Sequence, residues 1–237
     1  MALLLALLAA FPATRIASLP TGQVLEPGYW QVRVSHRFLA QSDNRGLKEN
    51  PFSYLTSANV YVSVDRGLPG RVSVGARYNN AGYVAGADAA WNPLAWLTLC
   101  AGVGANIREP ALGSTWFHVA PAFSHTFARR FHAVAVPRLT ASTDTLFVSL
   151  GLGAEYDLGR DLSLGLEAEP VLLGPETEQA RVLAWGLALD KELGWHNFTL
   201  VVGSAWHQSL PHRFSAANRD ITQGHVPRIG FNILRKI

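Results

Sequence analysis

In the stretch "FVSLGLGAEYDLGRDLSLGLEAEP", residues 147–170, apolar side chains recur on every second residue, with glycines and acids between them. Successive side chains of an extended strand point to opposite faces. Leu146, Val148, Leu150, Leu152, Ala154, Tyr156 and Leu158 therefore share one face, and Ser149, Gly151, Gly153, Glu155 and Asp157 the other. Past the turn "LGRD", Leu162, Leu164, Leu166 and Ala168 resume the apolar face opposite Ser163, Gly165, Glu167 and Glu169, as in an antiparallel hairpin. The leucines then have two destinations. One is the core of a soluble sandwich; the other is lipid, around a membrane barrel whose lumen takes the glycines and carboxylates.

The same period runs through nearly the whole chain, and almost no stretch has apolar residues at helical spacing. In "YWQVRVSHRF", Trp30, Val32 and Val34 oppose Gln31, Arg33, Ser35 and Arg37. "SANVYVSVD" and "RVSVGARYN" repeat the arrangement, the second setting Val72, Val74, Ala76 and Tyr78 against Arg71, Ser73, Gly75, Arg77 and Asn79. Further strands are expected in "YVAGADAAW", "WLTLCAGVGAN", "TWFHVAPAFSHTF", "FHAVAVPRLTA", "RVLAWGLALDK", "HNFTLVVGSAWH" and "VPRIGFNILRKI". "FHAVAVPRLTA" is the weakest of these, because Pro137 removes a ladder donor. The total is about twelve strands of roughly ten residues, the length that a tilted strand needs to cross a membrane.

Composition and connections choose between the two destinations. Charged residues make up 16% of the 237, against roughly 25% in ordinary soluble proteins. Surface charge is scarce. Twenty Lys and Arg against 17 Asp and Glu leave a formal charge of +3, too small an excess to argue for a nucleic-acid partner. The single Cys100 excludes an intrachain disulfide scaffold. Counting from the first strand, even-numbered links are tight ("DRGLPG", "NPLAW", "FARRF", "LGRD", "KELGWH"). Most odd-numbered ones are longer, as in "LAQSDNRGLKENPFSYLT", "IREPALGS", "LLGPETEQ" and "QSLPHRFSAANRDITQGH". Outer-membrane barrels sort periplasmic turns and extracellular loops in this way. Aromatics gather near strand ends at Tyr29, Trp30, Tyr78, Tyr83, Trp91, Trp96, Trp116, Phe117, Tyr156, Trp195 and Phe198, as two interfacial girdles would.

The reading is an all-β, transmembrane, antiparallel up-and-down β-barrel in a bacterial outer membrane, with both ends of the barrel chain on the periplasmic side. The competing fold is a soluble two-sheet sandwich or lipocalin-like binder. The opening "MALLLALLAAFPATRIAS" has an apolar run followed by small residues, which marks 1–18 as a signal peptide, one that begins without the usual basic residues. Residues 19–237 form the single barrel domain.

Three short motifs carry a resemblance. "HRF" at His36–Phe38, "GWHNF" at Gly194–Phe198 and "GFNILR" at Gly230–Arg235 resemble an uncharacterised, domain-of-unknown-function family of bacterial barrel proteins that end on a GFN-type strand. The resemblance implies a barrel in a Gram-negative outer membrane and supplies no reaction. It covers the last ~45 residues and the first strand, with only the general barrel pattern between.

Function is sought in the polar face. Arg33, Arg37, Arg71 and Arg77, with Asp88, come from the early strands; Glu155, Asp157, Glu167 and Glu169 come from the eighth and ninth. In a closed ring of about twelve, the two sets stand on roughly opposite walls of the lumen. They line either a pore for small hydrophilic solutes, crossed by a transverse field, or a set of salt bridges that plug a structural barrel which docks a partner. Membrane lipid and the barrel-assembly machinery are the other expected partners. Neither a cofactor nor a metal is expected: "GVGAN" and "GLGAEYDLG" do not open helices as nucleotide-binding glycines must, and His118 and His125 have opposite parity. His196, His207, His212 and His225 fall near the last two strands and their connecting loop, where ordinary loop chemistry is the favoured explanation. An outer-wall lipase using His207 and Ser209 is the enzyme alternative, but one short segment supplies neither an orienting partner nor an oxyanion hole.

Overall fold

A computed structural model describes residues 15–16, 19–38, 58–80, 83–107, 115–128, 130–142, 145–174, 183–204 and 227–237. Its elements are all strands: β1 (Arg15–Ile16), β2 (Leu19–Pro20), β3 (Trp30–Phe38), β4 (Ala58–Leu68), β5 (Val72–Asn79), β6 (Val84–Leu94), β7 (Leu97–Asn106) and β8 (Thr115–Phe127). They continue with β9 (Phe131–Ser142), β10 (Leu146–Gly159), β11 (Leu162–Glu169), β12 (Val171–Leu173), β13 (Ala184–Leu193), β14 (His196–Gly203) and β15 (Arg228–Lys236). From β3 to β11 each strand pairs antiparallel with the next, then β11 with β13, β13 with β14 and β14 with β15. β15 returns to β3, and the ring is closed. β12 continues β11 beyond Pro170 and pairs with the same neighbour, β10, so the barrel has twelve staves.

The opening hairpin forms as its pattern requires. Gly153 faces Glu167, and Gly159 faces Leu162 across a two-residue loop. Both loop residues, Arg160 and Asp161, have positive φ (56° and 59°). That is the twist-matched geometry of a tight hairpin. β9 forms as well. Its constant register with β8 would set Pro121 opposite Pro137, and pairing lapses there, between Val119↔Leu139 and Phe123↔Ala135. Two residues without N–H groups cannot hold a ladder together.

Parity assigns the faces. Leu152, Leu164, Leu166, Leu187 and Leu200 are exposed on the outside, whereas Ser149, Glu155, Ser163, Glu167 and Thr199 are buried inside. An apolar outer belt on a ring with no free strand edge is the arrangement lipid demands, because the bilayer core offers backbone groups no partner. Trp30, Trp91, Trp96, Tyr156 and Trp195 stand exposed near the short-turn end, and Tyr78, Tyr83 and Phe117 near the other. Trp116 departs from the expected girdle. It points inward and covers Gly104, its cross-strand partner.

Where a soluble domain would have a core, this lumen holds chain. Ile16 and Leu19, from the small β1–β2 sheet, are fully buried inside the ring with Ala120, Ala122, Val134 and Val136. From Leu19 the chain reaches the short-turn rim at Gly28, whose N–H donates to the Gly67 carbonyl at 3.1 Å. The sequence-based boundary between residues 18 and 19 lies between two described pieces of chain, Arg15–Ile16 and Leu19–Pro20.

Candidate functional site

The polar face of the ring is the one concentration of charge shielded from solvent among the described residues, and its side chains come from nearly every stave. On β3, Arg33 and Arg37 are buried on the inner face; Arg37 donates to the side-chain oxygen of Asn232 on β15 at 2.9 Å. Arg77 on β5 bonds Asp88 on β6 at 2.8 Å, as cross-strand neighbours on one face do. Asp65 on β4 accepts from Ser63 at 3.2 Å.

The carboxylates stand on β10, β11 and β13. Glu155 accepts from the Ser163 hydroxyl, and Glu167 accepts from the Leu19 N–H at 2.7 Å. Glu169 accepts from Ser149 at 2.9 Å and from the Arg138 guanidinium. Asp157 caps the tight turn through the Gly159 N–H at 2.6 Å. Asp190 accepts from Thr199 at 2.5 Å and lies within electrostatic reach of Arg33. One oxygen each of Glu155 and Asp190 has no hydrogen-bond partner among the described residues. Buried acceptors of that kind are uncommon and often mark where something else is bound or passes.

Of the residues singled out by parity, Arg33, Arg37, Arg77, Asp88, Glu155, Asp157, Glu167 and Glu169 stand on the inner face. Arg71 does not stand on a wall. It lies in the turn between β4 and β5 with φ at 61°, is exposed, and turns its guanidinium back to Asn92. The expected division into an arginine wall and a carboxylate wall is incomplete: Asp65 and Asp88 share the arginine side, and Arg138 on β9 serves the carboxylate side. Arg138, Asp190 and Arg228, all buried, were not among the residues chosen from the sequence.

His118 and His132 are buried inside, and His125 is outside against Phe127. No group of three His, Cys, Asp or Glu among the described residues is arranged to hold a metal ion. His196 is on the outer face beside Phe198. His207, Ser209, His212 and His225 lie outside the described residues.

Residues 116–237 match the family described as "Membrane bound beta barrel domain (DUF5777)". Among solved structures, a KdgM porin aligns with 88% of this chain and 97% of its own at a TM-score of 0.51 and 7% identity. A NanC porin aligns with 86% of this chain and 97% of its own at a TM-score of 0.54 and 9% identity. At such identities the likeness is one of fold, the outer-membrane barrel. No curated protein matches the chain by sequence.

Proposed function

Because the chain belongs to the family of membrane-bound beta barrel domains, with the architecture of an outer-membrane barrel, we propose that it is a passive channel for small hydrophilic solutes with a charged lumen. The observation that carries the reading is the inner face itself. Arginines on β3, β5, β9 and β15 and carboxylates on β4, β6, β10, β11 and β13 ring the lumen, where a barrel that served only as a scaffold would be filled more cheaply with apolar side chains. Fixed charges of both signs in a narrow, low-dielectric passage orient dipolar solutes and are weakly screened, because few mobile ions fit between them. The spare oxygens of Glu155 and Asp190 are acceptors for solute hydroxyl or ammonium groups.

A second reading has its own observation. The segment around Ile16 and Leu19 and the Arg138–Glu169 pair both fill the lumen, as they would in a non-conducting barrel that docks a partner. Planar-bilayer recording separates the two: discrete conductance steps are expected for the channel. Silence from folded protein, both as the native chain and with Leu19 replaced by Asp, assigns the barrel to the structural reading. The proposed surroundings are membrane lipid, with the barrel-assembly machinery as a partner during biogenesis. No catalytic role is proposed.

A further inference from the structure

The lumen's inner wall is mostly polar, and the largest buried apolar cluster among the described residues lies at one place on it. On β8 and β9, Ala120, Ala122, Val134 and Val136 turn inward, and beside them on β10 stand Gly151 and Gly153. An apolar patch inside a hydrophilic passage is a seat for something. Leu19 occupies it, with Ile16 alongside. The fit is mutual. A Cβ added at Gly153 would stand 2.9 Å from Ile16 Cδ1 and 3.0 Å from Leu19 Cδ2, so a side chain larger than glycine there would require Ile16 and Leu19 to shift.

Polar contacts hold the same segment along its length. The Leu19 N–H donates to Glu167 Oε2 at 2.7 Å. The Gly22 carbonyl accepts from Thr98 Oγ1 at 2.5 Å and from Asn92 Nδ2 at 3.3 Å. At the rim, Glu26 pairs with Lys236 at 2.9 Å, and the Gly67 N–H donates to the Tyr29 carbonyl at 2.9 Å. Anchors on β6, β7, β11, β15 and β4 thus fasten one strap from mid-lumen to periplasmic rim.

We propose that the segment Leu19–Gly28 is a built-in plug that occupies the lumen of the assembled barrel, and that transport requires it to leave the seat on β8, β9 and β10. The plug lies after residues 1–18, so the proposal holds whether or not the preceding signal is removed. That the plug blocks transport rests on the channel reading; that it resides in the lumen does not.

The chain carries its own reporter. Its single cysteine, Cys100, is on the inner face of β7 and packs against the same apolar seat. The experiment exposes vesicle-reconstituted, full-chain protein to a membrane-impermeant quaternary-ammonium methanethiosulfonate and follows modification of Cys100 by intact mass. Leu19→Asp, which places a carboxylate in the apolar seat and against Glu167, should speed modification by about tenfold or more, because the local opening that exposes the thiol becomes the resting state. Where the Asp variant does not fold, as judged by a heat-dependent gel shift, Leu19→Ala combined with Thr98→Val replaces it and should also speed modification. Equal rates in native and variant barrels would overturn the plug. Faster modification of the variant, with no conductance from it, supports the plug and removes the channel reading instead.

Discussion

Arg138 and Glu169 set the scale of what a single charge does in this lumen. Both side chains are almost wholly buried and they bond each other across β10, with Ser149 completing the group. Glu169→Ala removes the acceptor and leaves a buried guanidinium without its counter-charge, which should cost about 3–5 kcal/mol. Unfolding of the detergent-solubilised protein in urea measures it, and the double replacement of Arg138 by Met and Glu169 by Leu should recover most of the loss. In a conducting barrel, replacing Arg33 and Arg228 by Ser should shift the reversal potential in a salt gradient toward cation preference, and replacing Glu155 and Asp190 by Gln and Asn should shift it toward anion preference. Conductance indifferent to both pairs would remove these residues from the passage. Parity made most of the inner face legible, since Arg33, Glu155 and Glu167 alternate with unmistakably apolar neighbours. It could not reveal Arg138. Around it, Val134 and Val136 face inward while Ala133, Ala135 and Leu139 face out, so both sides of β9 read as apolar. The cause is the plug, which requires an apolar seat where alternation would otherwise show a polar face.

Elements show the same division between what a pattern carries and what a distant partner decides. The tight turns were legible because their chemistry is local: Arg160 and Asp161, after Gly159, adopt the positive φ angles of a tight hairpin loop. Trp116 was not, since its place depends on a residue in another strand. It sits one position into β8, where an aromatic suits the interface, yet it turns inward over the bare backbone of Gly104 on β7. A Cβ at Gly104 would meet the indole at 2.8 Å. Gly104→Val should therefore force the ring out of position and destabilise the barrel by about 1–3 kcal/mol, the usual penalty of overpacking. Adding Trp116→Leu should relieve most of it, and the temperature at which the folded gel band disappears reports both effects. The same pairing gives the glycines that face the lumen a role. Gly104 makes room for a ring, and Gly151 and Gly153 make room for Leu19.

For the whole molecule the governing asymmetry is between a face that must stay apolar and one that must not. Leu152 stands on the outer face of β10, between inward-facing Gly151 and Gly153, and is nearly half exposed. Leu152→Arg should cost about 2–4 kcal/mol of folding free energy in lipid if that position lies near the bilayer midplane. Folding yield into vesicles, compared with that of a Glu192→Arg control, which is exposed at the short-turn end on the lumen-side parity of β13, checks that the penalty belongs to lipid contact and not to charge as such. The number of staves and their facing were legible because alternation and turn spacing are repeated a dozen times, so single ambiguities average out. The occupied lumen was not, because the segment Leu19–Gly28 is short and lacks the alternation that marks a stave. One further consequence comes from the seam. β3 pairs with β15 from Gln31↔Lys236 to Arg37↔Gly230, and Trp30 and Ile237 exchange backbone hydrogen bonds at its end. These partners are separated by nearly the whole chain, and contacts so distant in sequence form late. The seam therefore acts as a latch: nothing can seal the ring until the final strand arrives, and whatever lies against the inner wall at that moment is locked in without ever having been threaded through a finished hole.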